Sequence, residues 1–217
     1  MWAILQRDLK IEFRTKAGLS SLFILGLLVL LIFQFAMPEK PTPESAAAGL
    51  WLSFVFAGTL GSQRTFLLER DNLCIYGLLT SPIDPASIFL AKMLGNLITL
   101  TILQAVVVPL TIIFFNVAPT DHPFLFVGVC FLGNAGFSAV ATLFAAISVQ
   151  TRAREVMLPL LIFPLLVPLV ITVVKASAIL LGAGVPSDAA AWLRVLIAFD
   201  LIFTAAGWLL FEHVVRE

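Results

Sequence analysis

Charged residues are scarce in this sequence, and their scarcity argues against a water-soluble fold. Only 12% of the 217 residues are charged and 60% are hydrophobic, with a mean hydropathy of +1.06. Soluble domains use roughly 45–50% apolar residues. The long apolar runs cannot all be hidden inside one water-soluble core, so lipid must be the solvent for their outer faces.

Residues that carry chemistry are equally few. The two cysteines, Cys74 and Cys130, are isolated and fit neither a CxxC pair nor a metal cluster. The two histidines, His122 and His213, are predicted to lie at opposite membrane faces. The sequence has no G-x-x-x-x-G-K-[ST] phosphate loop and no connecting segment long enough for a nucleotide-binding domain. Because the net charge is zero and neither end carries a basic tail, we expect no nucleic-acid partner. Because the sequence has no catalytic, metal-ligating or haem-attachment motif, we expect no catalysis, no metal and no directly bound cofactor.

Six long apolar segments predict six transmembrane helices, since each reaches or approaches the roughly 20 residues needed to cross hydrocarbon. Before them, residues 1–17 place apolar side chains at helical spacing with basic residues on a different side, which indicates an amphipathic helix in the membrane interface. The predicted fold is therefore an all-α integral membrane protein with one domain over residues 1–217. The spans are expected at 19–37, 46–62, 86–116, 123–149, 156–181 and 190–212.

The distribution of Lys and Arg predicts the orientation. All but three of the 13 basic residues fall in segments on one side of the spans, and the exceptions are Lys40, Lys175 and Arg194. Positive residues near span ends stay in the cytoplasm. Both termini are therefore expected in the cytoplasm, with residues 38–45 and 117–122 in the periplasm.

Two of the spans are unusual in composition. The fifth contains Pro159, Pro164 and Pro168, so we expect it to be bent or interrupted, and its loosely patterned end at 175–185 could form a short re-entrant helix. The fourth contains three glycines that would each let a neighbouring helix approach closely, namely Gly128, Gly133 and Gly136.

Three polar side chains inside the predicted spans are candidates for a functional role. Asp200 lies near the middle of the last span, where a charge is costly. We expect it to form a hydrogen bond between helices, with Lys175 and Arg194 as candidate partners, and a proton relay is the alternative. Lys92 and Asn96 are one turn apart on the third span, and Lys92 is expected to snorkel to the cytoplasmic interface.

The longest segment outside the spans covers residues 64–84 and mixes charges with large apolar groups. Such a segment can lie on the membrane face and offer apolar side chains to a partner. A simple interfacial connector explains the pattern equally well.

This segment and its neighbours resemble the CcmB family. The resemblance is carried by Phe66-x-x-Glu69-Arg70-Asp71, Leu78-Leu79-x-Ser81-Pro82, Ile88, Lys92 and Asn96, with Arg7-Asp8 and Glu12 before the first span. It covers essentially the whole chain. The Glu-Arg and Leu-Leu-x-Ser-Pro elements are similar to those of ABC-2 permeases more broadly, so the implied fold is a permease of the type V exporter kind.

The resemblance implies a membrane subunit of the ABC-type complex for cytochrome c maturation in the bacterial inner membrane. ATP would bind to a separate ATPase subunit, and the complex would handle haem for export or for release of a haem-loaded chaperone. The implied partners are that ABC ATPase, a Trp-rich haem-handling membrane protein, a small membrane peptide and a periplasmic haem chaperone. A homodimer of permease subunits is a further arrangement that the resemblance allows.

The resemblance also implies that the 64–84 segment is a coupling helix that docks against the ATPase. The residues expected to make this contact are Phe66, Leu68, Glu69, Arg70, Asp71, Leu79, Ser81 and Pro82.

Two other transport hypotheses fit the sequence. One is an ABC-2 permease for a lipid-linked glycan or a drug, which co-purification with a haem chaperone would distinguish from the first hypothesis. The other is an ion-coupled secondary transporter that works alone, for which Asp200 is the main support.

Overall fold

The structure, a computed structural model, describes residues 2–14, 16–37, 41–71, 85–148 and 154–216. Within these ranges the chain is almost entirely helical and contains no strand. The helices are α1 (Trp2–Arg14), α2 (Lys16–Ala36), α3 (Pro43–Asp71), α4 (Pro85–Phe115), α5 (Pro123–Ser148), α6 (Arg154–Ala178) and α7 (Ala189–Arg216).

The chain is a multi-pass membrane protein. Five helical stretches in the described ranges are long and apolar enough to cross a membrane, and α2 contributes the shorter apolar stretch Ser20–Ala36. Helix is the expected solution in lipid, because a helix satisfies its backbone hydrogen bonds within one segment. Each predicted span lies largely inside one of the helices α2 to α7. The five longer stretches are Pro43–Ser62, Pro85–Phe115, Pro123–Ile147, Pro159–Ala183 and Pro186–Phe211.

Local sequence signals explain where several helices begin. Helices α4 and α5 start at Pro85 and Pro123, where the missing N–H of proline costs no helical bond. Helix α3 starts at Pro43, three residues before the predicted span. Thr42 is its N-cap, because the backbone N–H of Ser45 donates to Thr42 Oγ1 at 3.2 Å and the backbone N–H of Thr42 donates to Ser45 Oγ at 2.9 Å.

Helices α3 and α5 each pack against four other helices of the bundle. Helix α3 packs against α2, α4, α5 and α6, while α5 packs against α3, α4, α6 and α7. Their contact contains an aromatic stack in which Phe54 meets both Trp51 and Phe137 edge to face, each at a ring-centroid distance of 5.3 Å. All three rings are buried. Such geometry adds favourable quadrupole contacts to the apolar packing.

The indole of Trp51 is held in place from two sides. Its Nε1 donates to Ser177 Oγ on α6 at 2.8 Å, which satisfies a buried donor. On the other side lies Gly133 of α5, where an added Cβ would overlap the Trp51 ring. The close approach expected at the glycines of α5 is therefore confirmed at Gly133, whereas Gly128 faces open space.

The expected interruption of α6 occurs after its prolines and not at them. Helix α6 remains helical through all three prolines and continues into a π-helical turn, Ile179–Ala183. Gly182 in this turn has φ = 114°, a conformation that glycine adopts without strain. A 3-10 turn, Pro186–Asp188, then leads directly into α7. The end of α6 thus forms a tight connection, and the suggestion of a re-entrant helix over 175–185 is wrong.

Candidate functional site

The predicted coupling segment begins inside a transmembrane helix. Helix α3 is unbroken for 29 residues, a length of about 44 Å at the standard rise of about 1.5 Å per residue. The hydrocarbon core is only about 30 Å thick. Beyond the apolar stretch Pro43–Ser62, residues 63–71 of the same helix form an extension that includes the charged Arg64, Glu69, Arg70 and Asp71.

Five of the predicted contact residues lie on this extension. The backbone places Phe66, Leu68, Glu69, Arg70 and Asp71 in helix α3. Their side chains, and all of Leu79, Ser81 and Pro82, lie outside the part of the chain that the structure describes. Whether these residues contact a partner therefore stays a prediction.

At Ser62, the last residue of its apolar stretch, α3 is hydrogen-bonded to α4. Asn96 Nδ2 donates to Ser62 Oγ at 3.1 Å, and Ser62 Oγ also donates to the carbonyl of Gly58 at 2.9 Å. Both side chains are buried, Ser62 at 2% and Asn96 at 7% exposure. This pair joins the base of the coupling segment to the third predicted span.

One turn along α4 from Asn96, an ion pair joins α4 to α1. Lys92 Nζ lies 2.5 Å from Asp8 Oδ2. The side chain of Lys92 is 1% exposed and that of Asp8 is 14% exposed. A buried cation in this environment requires an opposite charge, and Asp8 supplies it. Lys92 is therefore covered by α1, and its ammonium pairs with Asp8. That it reaches the cytoplasmic interface stays a prediction.

Helix α1 is docked on α4 by an apolar contact as well. Leu5 is 4% exposed, and its Cδ1 would lie 3.6 Å from a Cβ added at Gly95. Leu5 and Asp8 are three residues apart, as are their counterparts Lys92 and Gly95, so the two contacts share one face of each helix. Arg7 pairs with Asp8 at 3.2 Å from the outer side. We call Asp8, Ser62, Lys92 and Asn96 the interhelix cluster.

The sequence interpretation missed the pairing within this cluster although it named three of its members, Asp8, Lys92 and Asn96. Asp8 and Lys92 are 84 positions apart, and Ser62 and Asn96 are 34 apart. Helical periodicity says nothing about such distant partners. The available signal was the charge itself, since a lysine well inside an apolar run requires an acid and few acids occur near the ends of the spans.

Asp200 is placed differently from the cluster. Neither of its carboxylate oxygens has a hydrogen-bond partner among the described residues. The expected bond between helices is therefore not formed within that part of the chain, and neither Lys175 nor Arg194 is a partner. The carboxylate fits against Gly136 of α5, where an added Cβ would overlap Asp200 Oδ1. Packing, and not hydrogen bonding, positions this group.

Asp200 is accompanied by other buried polar atoms without a partner in the described chain. They include both amide atoms of Gln104, Oδ1 of Asn134 and Oγ of Ser138. The amide nitrogen of Asn134 does donate to Thr101 Oγ1, at 3.3 Å. Counting residues from the helix ends places these side chains near mid-bundle. We call Gln104, Asn134, Ser138 and Asp200 the mid-bundle set.

No group of three or more His, Cys, Asp or Glu side chains that could hold a metal ion occurs in the described ranges. His122 is exposed in the connection between α4 and α5. The interhelix cluster joins α1, α3 and α4 at the base of the coupling segment.

Comparison with known proteins shows which family the chain belongs to. The family described as CcmB protein matches residues 1–216. The chain belongs to the CcmB family. It is also similar to Heme exporter protein B of Rhodobacter capsulatus, with 30% identity over 177 residues, which is 79% of this chain and 79% of that protein.

The family match runs from α1 to α7 and includes both parts of the candidate site. It covers the Asp8 of α1, the extension of α3 and the Lys92-Asn96 turn of α4. The assignment of this CcmB chain thus rests on the whole domain and not on the coupling segment alone.

Proposed function

We propose that this chain is the permease subunit of an ABC-type complex that serves cytochrome c maturation. It works in the bacterial inner membrane with six spans and both termini in the cytoplasm. A separate ATPase subunit hydrolyses ATP, and the complex exports haem or releases a haem-loaded periplasmic chaperone. Membership of the CcmB family and the similarity to a protein named for haem export support this proposal.

The observation that carries the mechanism is the continuity of α3. Because one helix runs from Pro43 through Ser62 to Asp71, a push on residues 66–71 acts on the transmembrane part of the same rod. The Ser62–Asn96 bond passes that displacement to α4, and the Lys92–Asp8 pair passes it from α4 to α1. The interhelix cluster is thus the first point at which movement of the coupling segment reaches the rest of the bundle.

The remaining partners follow from the same proposal. ATP and haem are held by other subunits, namely the ATPase, the Trp-rich haem-handling membrane protein and the periplasmic haem chaperone. The small membrane peptide and a second copy of this subunit complete the assembly. This chain contributes coupling and helix movement, and it binds no cofactor directly.

Truncation of the apolar contact residues tests the proposed coupling. Phe66→Ala or Leu79→Ala should weaken capture of the ATPase by about 1–3 kcal/mol if these side chains are buried anchors. Glu69→Lys should weaken capture further, because it places a positive charge where the ATPase is expected to present a group complementary to a carboxylate. Pro82→Ala should leave capture nearly intact and reduce maturation, since the proline holds the turn before α4.

Pull-down of the ATPase and a cytochrome c maturation assay measure these effects. Phe124→Ala is the matched control for Phe66→Ala, because Phe124 is 91% exposed at the opposite end of the bundle. The control should retain full ATPase capture. Full capture and full maturation in all four variants would show that the segment is only a connector.

A further inference from the structure

The residues of α1 that contact α4 identify its inner face, and the opposite side of the helix is its outer face. Leu5 lies against Gly95 and Asp8 pairs with Lys92, so the side of α1 that carries these two residues faces α4. Among the side chains of α1 that the structure describes, Trp2, Gln6 and Lys10 are exposed, and they are spaced four residues apart. Residues at this spacing form a single stripe along a helix. We call these three residues the outer stripe.

The charge of this face is more positive than the composition of α1 suggests. Residues 2–14 contain three basic and two acidic side chains. One of the acids, Asp8, is bound to the buried ammonium of Lys92 and is only 14% exposed. The ion pair therefore leaves the surface of α1 with an excess of cations, among them the exposed Lys10 and the 40% exposed Arg7.

The position of α1 along the membrane normal indicates which layer of the bilayer contacts its outer face. Lys92 is the eighth residue of α4, about 10 Å from its start. A helix of 31 residues is about 46 Å long and exceeds a hydrocarbon core of about 30 Å by about 8 Å at each end. Lys92 and the helix docked on it therefore lie at the boundary between acyl chains and headgroups.

The end of α3 projects further from the membrane than α1. From Ser62, which is level with Asn96, nine more residues reach Asp71, a distance of about 13 Å. Lys92 is one helical turn from Asn96, about 6 Å. The end of α3 thus lies further from the middle of the membrane than the level at which α1 is docked on Lys92.

An exposed tryptophan beside exposed cations is the pattern expected of a helix face in the headgroup layer. Trp2 is 65% exposed, and an indole combines an apolar body with a polar N–H that suits the interface. Lysine and arginine attract anionic headgroups, each by about 1 kcal/mol. We propose that the outer stripe of α1 binds anionic phospholipid headgroups of the adjoining leaflet, with Lys10 as its main cation and Arg7 beside it.

Lipid retention by the full-length purified chain tests this site. The chain is exchanged into nanodiscs of phosphatidylcholine or of phosphatidylcholine mixed with phosphatidylglycerol, and lipids that remain bound after release are counted by native mass spectrometry. Wild type should retain phosphatidylglycerol preferentially. Lys10→Gln should reduce that preference about five-fold, which corresponds to the roughly 1 kcal/mol carried by one cation.

Lys10→Arg is the matched control, because it keeps the positive charge at the same exposed position. It should leave the preference unchanged. Equal retention of both lipids by wild type, or equal losses in the two variants, would overturn the proposal. Loss of ATPase capture by Lys10→Gln with unchanged lipid retention would assign the stripe to a protein partner instead.

A second arm locates the contact. In a background with Trp192→Phe and Trp208→Phe, brominated phosphatidylglycerol should quench the tryptophan fluorescence more when Trp2 is present than when it is replaced by Phe, because the exposed indole of Trp2 lies among the lipids while Trp51 is buried. Identical fractional quenching in the two proteins would place Trp2 outside the lipid layer and contradict the proposed site.

Discussion

The interhelix cluster and the mid-bundle set are two regions of buried polar side chains that differ in whether those side chains have partners. In the interhelix cluster every side chain has a partner on another helix, and three helices are joined as a result. In the mid-bundle set, four side chains carry atoms without any partner among the described residues. Both regions are closely packed, so the contrast is one of bonding and not of burial.

The difference shows which polar groups hold the helices together. A paired buried group resists replacement, because its loss leaves the partner desolvated and unbonded. An unpartnered buried group contributes no such bond, and its replacement by an apolar group of similar shape is close to neutral. We therefore expect mutations of equal chemistry to have unequal effects in the two regions.

The largest effect is expected from breaking the ion pair. Asp8→Asn removes the carboxylate partner of Lys92, whose side chain is 1% exposed. Removal of one member of a buried pair costs about 3–5 kcal/mol, and the partial exposure of Asp8 favours the lower end of that range. Thermal unfolding in detergent measures the loss. Asp121→Asn, the same change at an exposed site, should have almost no effect, and equal stabilities of the two variants would refute the importance of the pair.

The second largest loss of stability is expected from overpacking beside the aromatic stack. Gly133→Ala places a Cβ in overlap with the Trp51 ring and 2.9 Å from Val173. Overpacking of this kind costs about 1–3 kcal/mol. Gly128→Ala on the same helix meets nothing within 4 Å, so it should be neutral or slightly stabilising, because alanine is the better helix former. A loss of stability in Gly128→Ala as large as that in Gly133→Ala would contradict this account of α5.

A matched pair of serines tests the comparison between the regions directly. Ser62 and Ser138 are both buried, at 2% and 0% exposure. Ser62→Ala loses the bond to Asn96 and should cost about 1 kcal/mol. Ser138→Ala removes a hydroxyl without a partner in the described chain and should change the free energy of unfolding by less than about 0.5 kcal/mol. Equal costs would remove the distinction between the regions.

The smallest effect on stability is expected at Asp200. Asp200→Asn keeps the shape that fits against Gly136 and breaks no hydrogen bond with a described residue. Its free energy of unfolding should stay within about 0.5 kcal/mol of wild type. A maturation assay then reports on function separately. Normal assembly with abolished maturation would assign Asp200 a titrating role in place of a packing role.

The sequence was sufficient to predict the helices but not their partners. Hydropathy located the helices α2 to α7, because about 20 apolar residues are needed to cross lipid. The sequence also explains why α4 and α5 start at Pro85 and Pro123, since proline fits the first turn. The bonds from Trp51 to Ser177 and from Lys92 to Asp8 join residues 126 and 84 positions apart. Only the packing of the helices creates such contacts.

The prediction for Asp200 failed for a related reason. The cost of a charge in the membrane correctly indicated a special environment, but sequence cannot show whether a neighbouring helix supplies a donor or a gap. Here the neighbour is Gly136, which supplies space. For the coupling segment, the family resemblance named the residues, and the structure adds that residues 64–71 continue α3.

The most direct test of the proposed coupling separates ATPase binding from transmission. Thr65 lies on α3 between Ser62 and the first predicted contact residue, Phe66. Thr65→Pro removes one helical hydrogen bond and bends the rod there, whereas Thr65→Ala leaves it intact. We predict that Thr65→Pro still captures the ATPase in a pull-down but loses cytochrome c maturation, while Thr65→Ala retains both. Wild-type maturation by an assembled Thr65→Pro complex would contradict coupling through a continuous α3.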